Sequence, residues 1–95
     1  MPSYAIAFDL KIADLEQYYS STSPNNAYNE IGSFLKRNGF SHQQGSLYFG
    51  DETIDAVRCV LVAQQLSKKL PWLSQCVTDI RMLRIEDNND LMPAL

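Results

Sequence analysis

The chain has 95 residues, 45% of them hydrophobic, which fits one globular domain with a single modest core. Its formal net charge is −3. Proteins that bind duplex nucleic acid tightly are usually basic, because much of their affinity comes from neutralising phosphates. The charge therefore argues against a tight duplex binder, but it allows an enzyme that holds a short single strand. Two cysteines without framework spacing, and no apolar run of membrane length, indicate a reduced, cytoplasmic protein that does not associate with membranes.

The first predicted strand, residues 4–10, has two different faces. The large apolar side chains alternate along it and form one face: Tyr4, Ile6, Phe8 and Leu10. The other face carries Ala5, Ala7 and Asp9. A carboxylate among small apolar neighbours is costly to desolvate unless it is paired or used. Asp9 is therefore the strongest candidate for a functional residue; the alternative is a structural role, accepting hydrogen bonds or pairing with Arg81.

A weakly helical stretch over 12–19 and a loop over 20–24 follow the strand. Ser23 then reads as the cap of a helix that has Pro24 at its first position and Gly39 just past its end. Apolar residues recur through this helix at the spacing of one buried face: Ala27, Tyr28, Ile31, Phe34 and Leu35.

Two short strands, 40–43 and 46–49, are predicted to form a hairpin around Gly45. His42, the only histidine, is interpreted as a solvated strand residue, with a proton-transfer role in a partner subunit as the alternative. A second helix is predicted to open at 50–53, and Pro71 marks its end.

Trp72 and Leu73 are expected to form a lid on the core, ahead of a last strand over 77–86. The resulting order, β-α-β-β-α-β, predicts an α+β ferredoxin-like sandwich over residues 1–86. Its antiparallel sheet would carry both helices on one face. We expect a homodimer, formed through the other face or through the sheet edges. The apolar tail, 87–95, is expected to dock on a partner protein such as a second subunit, with disorder as the alternative.

Five polar residues are predicted to meet on the open face: Asp9, Ser46, Tyr48, Asp79 and Arg81. This prediction sends Leu47 and Phe49 to the core and leaves Tyr48 outward. Each residue also has a plainer interpretation. Asp79 and Arg81, two apart on one strand, are often just a surface ion pair. Ser46 after a glycine is often a turn residue, and Tyr48 a strand former.

Three segments of the sequence resemble the VapD (virulence-associated protein D) family: YAIAFDL at 4–10, QGSLY at 44–48 and VTDIR at 77–81. The resemblance spans nearly the whole chain, and only 52–69 and the tail depart from the family pattern. It implies a ferredoxin-like homodimer related to small CRISPR-associated endoribonuclease-like proteins. It also implies an endoribonuclease with a preference for purines in part of the family. Some members are toxins paired with a small antitoxin, and such an antitoxin is a second candidate partner for the tail, 87–95.

The resemblance makes Asp9 the central catalytic acid, with Asp79 and Ser46 as its companions. Arg81 is expected to face a phosphate, and Tyr48 to donate a hydrogen bond to the substrate or to stack on a base. Asp9 could also hold a hydrated Mg²⁺ that organises the phosphate, so metal-assisted and metal-free cleavage both stay open.

Two rival functions remain at this point. One is a non-catalytic, dimeric assembly module that binds nucleic acid or protein, because an acidic surface suits protein partners. The other is a small ligand-sensing domain, although the sequence has no glycine-rich phosphate loop or metal-ligand cluster to support it.

Overall fold

The computed structural model describes residues 3–19 and 24–95, so the predicted cap at Ser23 lies outside the described residues. The described residues form four strands, four α-helices and a final 3₁₀ turn. In chain order these are β1 (Ser3–Leu10), α1 (Ile12–Tyr18), α2 (Pro24–Arg37), β2 (Phe40–Gln44), β3 (Leu47–Gly50), α3 (Ala56–Lys69), α4 (Leu73–Cys76), β4 (Val77–Ile85) and the 3₁₀ turn Met92–Ala94.

The four strands make one sheet in the order β2-β3-β1-β4, and all neighbouring strands are antiparallel. The prediction of an α+β chain with β1 and β3 side by side in the centre is confirmed, and the order is that of a ferredoxin-like sandwich. The first long helix, α2, begins at Pro24, as predicted. Gly39 lies just past its end with φ 93°, a left-handed conformation that suits glycine.

The core lies between one face of the sheet and helices α2 and α3. Ile6 and Phe8 of β1 are buried there, as their alternation predicted. The helices contribute residues such as Ile31, Leu35 and Leu66, each fully buried. The residues of β1 that alternate with Ile6 and Phe8 are Ala5, Ala7 and Asp9, so Asp9 lies on the face opposite the helices.

The second long helix begins later than predicted. Asp51 does not open it, because its carboxylate accepts hydrogen bonds from the backbone N–H and the hydroxyl of Thr53 and closes a turn. Asp55 is the cap instead, accepting a hydrogen bond from the Arg58 N–H at 2.8 Å.

Two short helices, α1 and α4, lie at the end of the sheet where β1 ends and β4 begins. The stretch predicted to be weakly helical is helix α1, in which Leu15 is buried. The predicted lid is confirmed: Leu73 is buried in the core, and Trp72 packs at the core margin with its ring 4.7 Å from that of Tyr19.

The prediction of which β3 side chains face the core was wrong, because the two faces of the strand are exchanged. Tyr48 pairs with Ile6, so it faces the helices and is only 6% exposed, while Leu47 and Phe49 lie on the open face. Its ring stacks on Phe8 at 6.2 Å. Its hydroxyl lies against Gly32 of α2, where a side chain would collide with it. Burial raises the pKa of Tyr48 and removes it as a surface for stacking a base.

The tail after β4 is exposed throughout. Its apolar residues Leu91, Met92 and Leu95 are 71%, 69% and 96% exposed. In the part of the chain that the structure describes, no helix is both long and apolar enough to cross a membrane.

Candidate active site

A shallow depression of about 450 Å³ lies where β1, β4 and the β2–β3 turn meet. This volume falls within the range of small-molecule sites, about 300–1,000 Å³. Its lining comes from three separate stretches of the chain: Ala7, Phe8, Asp9, Gln44, Gly45, Ser46, Leu47 and Asp79. The depression therefore collects three of the predicted site residues, which lie far apart in sequence.

The two acidic residues of the depression lie opposite each other on neighbouring strands. Asp9 of β1 pairs directly with Asp79 of β4. Residues directly opposite in an antiparallel pair have Cβ atoms about 4.5–5.5 Å apart, and like charges there are destabilising. The fold therefore holds two acids close together at a cost in stability, which is typical of a functional site rather than of a packing feature.

Arg81 partly offsets this charge. Its Nε lies 2.9 Å from Oδ2 and 3.1 Å from Oδ1 of Asp79. Among the described residues, no hydrogen bond or ion pair reaches the side chain of Asp9. Asp79 is thus paired with the Arg81 guanidinium, whereas Asp9 is exposed and has no such partner among the described residues.

Irregular strand pairing borders the depression on both sides. The register of β1 and β4 shifts after Asp9, so that Leu10 pairs with Val77 and Thr78 is the extra residue. The Thr78 hydroxyl donates to the Asp9 carbonyl at 3.3 Å. On β2 a second shift leaves Gln43 unpaired. Bulges of this kind re-aim side chains and are common next to active sites.

The β2–β3 turn brings Ser46 to the depression. Gly45 has φ 50°, the positive angle that the first position of a two-residue hairpin turn requires. The Phe8 N–H donates to the Ser46 carbonyl at 3.2 Å, which ties the turn to β1 one residue before Asp9. Ser46 is half-buried at this junction.

The structure thus brings together Asp9, Asp79 and Ser46, with Arg81 bound to Asp79 at the margin. It does not bring Tyr48 there. Sequence reasoning missed Gln44, which pairs with Leu47 and lines the depression, and Thr78 at the bulge. No pattern in the sequence marks either residue, because the positions of the two bulges follow from strand pairing.

The described residues contain no group of three or more histidine, cysteine, aspartate or glutamate side chains that could hold a metal ion. A protein-only metal cage is therefore not seen in this part of the chain. Mg²⁺ often binds through only one or two carboxylates and completes its shell with water and substrate phosphate. Asp9 and Asp79 fit that lesser requirement.

The chain is similar in sequence to proteins named as endoribonucleases. It is 54% identical over 92 residues to endoribonuclease VapD 2 of Riemerella anatipestifer, covering 97% of this chain and 98% of that protein. It is 49% identical over 92 residues to an endoribonuclease VapD homolog of Helicobacter pylori, covering 97% and 95%. It is 41% identical over 87 residues to endoribonuclease VapD of Dichelobacter nodosus, covering 92% and 90%. No protein-family model matches the chain.

Proposed function

The chain belongs to the VapD family of endoribonucleases, and we propose that it cleaves RNA phosphodiester bonds in the depression around Asp9. The direct pairing of Asp9 with Asp79, beside Ser46, supports placing the active site in this depression. The depression is open to solvent, so a single strand can reach both acids without unfolding any element.

The proposed chemistry divides the roles among these residues. Asp9, which has no partner among the described side chains, accepts the proton of the attacking oxygen as that oxygen bonds to phosphorus. The Ser46 hydroxyl donates a hydrogen bond to a phosphate oxygen. The bond from phosphorus to the leaving oxygen then breaks, and this oxygen takes a proton from water. Arg81, held by Asp79, offsets the charge on the phosphate.

We propose that any divalent cation needed for cleavage binds between Asp9 and Asp79. Bound there, Mg²⁺ would neutralise charge on the phosphate. Full activity in excess chelator would rule this out and would leave Arg81 as the main source of positive charge.

The preference for purines is proposed from the family resemblance. The apolar side chains of Ala7 and Leu47 in the depression support it, because a purine buries more flat surface against them than a pyrimidine. Cleavage of oligonucleotides that differ at a single base tests this preference directly.

We also propose that the chain forms a homodimer through its open sheet face. Beyond the depression, on the side away from Asp9, that face carries Phe49 and Leu83 on either side of Ala5, and Leu83 is 40% exposed. Contiguous apolar surface of this kind commonly marks an interface. A contact there leaves the depression open to RNA. Sedimentation equilibrium of Leu83→Asp should show a monomer. Val57→Asp, on the helix side and 68% exposed, is the matched control and should stay dimeric.

The exposed tail, with Leu91, Met92 and Leu95, is proposed to dock on the partner subunit. A shortened chain ending at residue 86 should then dimerise more weakly than the full chain. If it dimerises normally, the tail remains available for a separate antitoxin protein.

The toxin role is proposed from the resemblance. Expression of the wild type should slow bacterial growth, and Asp9→Asn should not.

The activity is tested by incubating wild type and Asp9→Asn with RNA, with and without Mg²⁺. Cleavage by the wild type and its loss in the variant support the proposal. Equal cleavage by both proteins means a contaminant or a wrong residue. A folded, dimeric wild type that binds RNA without cutting it would instead be a non-catalytic assembly module.

A further inference from the structure

The turn that carries Ser46 is held by a side chain on the opposite side of the sheet. His42 pairs with Tyr48, so it lies on the helix side, and its ring is 4.9 Å from the Tyr48 ring. Its Nε2 lies 2.7 Å from the carbonyl oxygen of Gly45. Because a carbonyl can only accept, this nitrogen must carry the hydrogen and donate it.

This contact fixes the orientation of one peptide group. The Gly45 carbonyl and the Ser46 N–H belong to the same planar trans peptide, in which the two groups point in opposite directions. His42 draws the carbonyl toward the helix side. The Ser46 N–H is therefore directed toward the open face, where the depression lies.

The Ser46 N–H has no hydrogen-bond partner among residues 3–19 and 24–95. A backbone N–H without a protein partner needs solvent or a ligand to satisfy it. Ser46 lines the same depression as Asp9 and Asp79, so a substrate group bound there is in position to accept this hydrogen bond. Backbone N–H groups at fixed positions are common donors to phosphate and to developing oxyanions.

We propose that the Ser46 backbone N–H binds a non-bridging phosphate oxygen of the RNA and that His42 is the positioning residue that aims it. This inference rests on the proposed RNA cleavage for its role in catalysis, although phosphate binding can be measured without any cleavage. His42 touches no substrate; it acts through the Gly45–Ser46 peptide.

The test uses two substitutions and a control. His42→Phe keeps a ring against Tyr48 but removes the donor, whereas His42→Gln supplies a donor near the position of Nε2. Gln43→Ala, at the unpaired neighbour on β2, leaves the Gly45 carbonyl contact intact. His42 is exposed, so none of these variants empties a buried position, and His42→Gln gives up only the ring contact with Tyr48.

The first measurement follows the Ser46 amide by ¹H–¹⁵N NMR while inorganic phosphate is added. The Ser46 signal should shift on titration in wild type, His42→Gln and Gln43→Ala, and the shift should fall severalfold in His42→Phe. No shift in the wild type, or an equal shift in His42→Phe, overturns the inference. This result is independent of whether the protein cleaves RNA.

The second measurement is cleavage of RNA and of its phosphorothioate, in which sulfur replaces one non-bridging oxygen. Loss of an oxyanion donor typically lowers kcat by about 10²–10³-fold. In His42→Phe the Ser46 N–H is still present but no longer held in place, so kcat should fall about tenfold. KM should change little. The ratio of the cleavage rates of RNA and of its phosphorothioate should be smaller in His42→Phe than in the wild type. His42→Gln should recover most of the rate. Equal losses in both variants, or an unchanged sulfur effect, contradict the role of the peptide; a wild type that cuts no RNA overturns the proposed function instead.

Discussion

Asp9 and Asp79 lie directly opposite each other on antiparallel strands, and only Asp79 has an arginine partner. Two neighbouring carboxylates therefore have unequal surroundings within one chain. One is fixed by Arg81, and the other is exposed without a partner among the described side chains. In the proposed mechanism, this asymmetry favours Asp9 as the proton acceptor, with Asp79 holding the Arg81 guanidinium.

Arg81 and Arg84 offer a matched pair for testing the phosphate contact. Both lie on β4 and bind a carboxylate two residues away at 2.9 Å, Arg81 to Asp79 and Arg84 to Glu86. Exposed ion pairs contribute only about 0–1 kcal/mol, so neither Arg→Gln change should unfold the protein. Arg81→Gln should raise KM for RNA about tenfold, and Arg84→Gln should leave it unchanged. Equal effects would show that only overall charge matters.

Ser46→Ala removes the hydroxyl proposed to bind a phosphate oxygen. We expect kcat to fall about tenfold, with thermal unfolding unchanged because Ser46 is at a turn. Ser41→Ala is the control, since Ser41 pairs with Phe49 away from the depression. A loss of activity in Ser41→Ala as large as in Ser46→Ala would argue against a specific role.

Tyr48 tests the corrected orientation of β3. Because the ring is buried against Phe8, Tyr48→Ala should destabilise the fold by about 3–5 kcal/mol in urea unfolding. Tyr48→Phe should leave KM for RNA unchanged, because the hydroxyl faces Gly32 of α2 rather than the substrate. A marked rise of KM in Tyr48→Phe would restore the discarded substrate contact.

The raised pKa of Tyr19 predicts that the stability of the fold depends on pH in the alkaline range. Burial, followed by the hydrogen bond to Glu30 and its charge, raises the pKa of Tyr19 from 10.0 to about 12. A raised pKa in the folded state gives stability that is present below pH 10 and is lost as the pH rises toward 12. In Tyr19→Phe the free energy of unfolding should fall less steeply over this window. Glu30→Gln should lie between the two; an identical pH slope in all three would exclude this linkage.

The outward-facing residues of β1 and β4 could be predicted from the sequence, because apolar and polar residues alternate clearly there. In β1 a single charge interrupts the small-residue face, and that pattern alone places Asp9 correctly. On β4 the predicted outward positions of Asp79 and Arg81 also hold, since they pair with Asp9 and Ala7. Cross-strand pairing of these elements follows from the ferredoxin-like order.

The phase of β3 could not be read from the sequence. Leu47, Tyr48 and Phe49 are three large side chains in succession, so period two gives no preferred face. The choice depends on tertiary contacts, namely pairing with Ile6 and the space left by Gly32. The orientation of the Gly45–Ser46 peptide is also invisible in the sequence, because it depends on a bulge and on the ring of His42.

If Asp9 and Asp79 act together in cleavage, their substitutions should not be additive in a double-mutant cycle of RNA cleavage. Wild type, Asp9→Asn, Asp79→Asn and the double variant are compared by kcat/KM, with thermal unfolding measured in parallel. We expect Asp9→Asn to cost about 10²-fold or more, because it removes the general base. Asp79→Asn, which releases Arg81, should cost about tenfold, and the double change should cost little beyond Asp9→Asn alone.

Removing one of two opposed charges should leave the fold as stable as before, or more stable by a few tenths of a kcal/mol. Cleavage by Asp9→Asn at the wild-type rate would contradict a catalytic role of Asp9. Losses of activity that merely parallel losses of stability would contradict it as well.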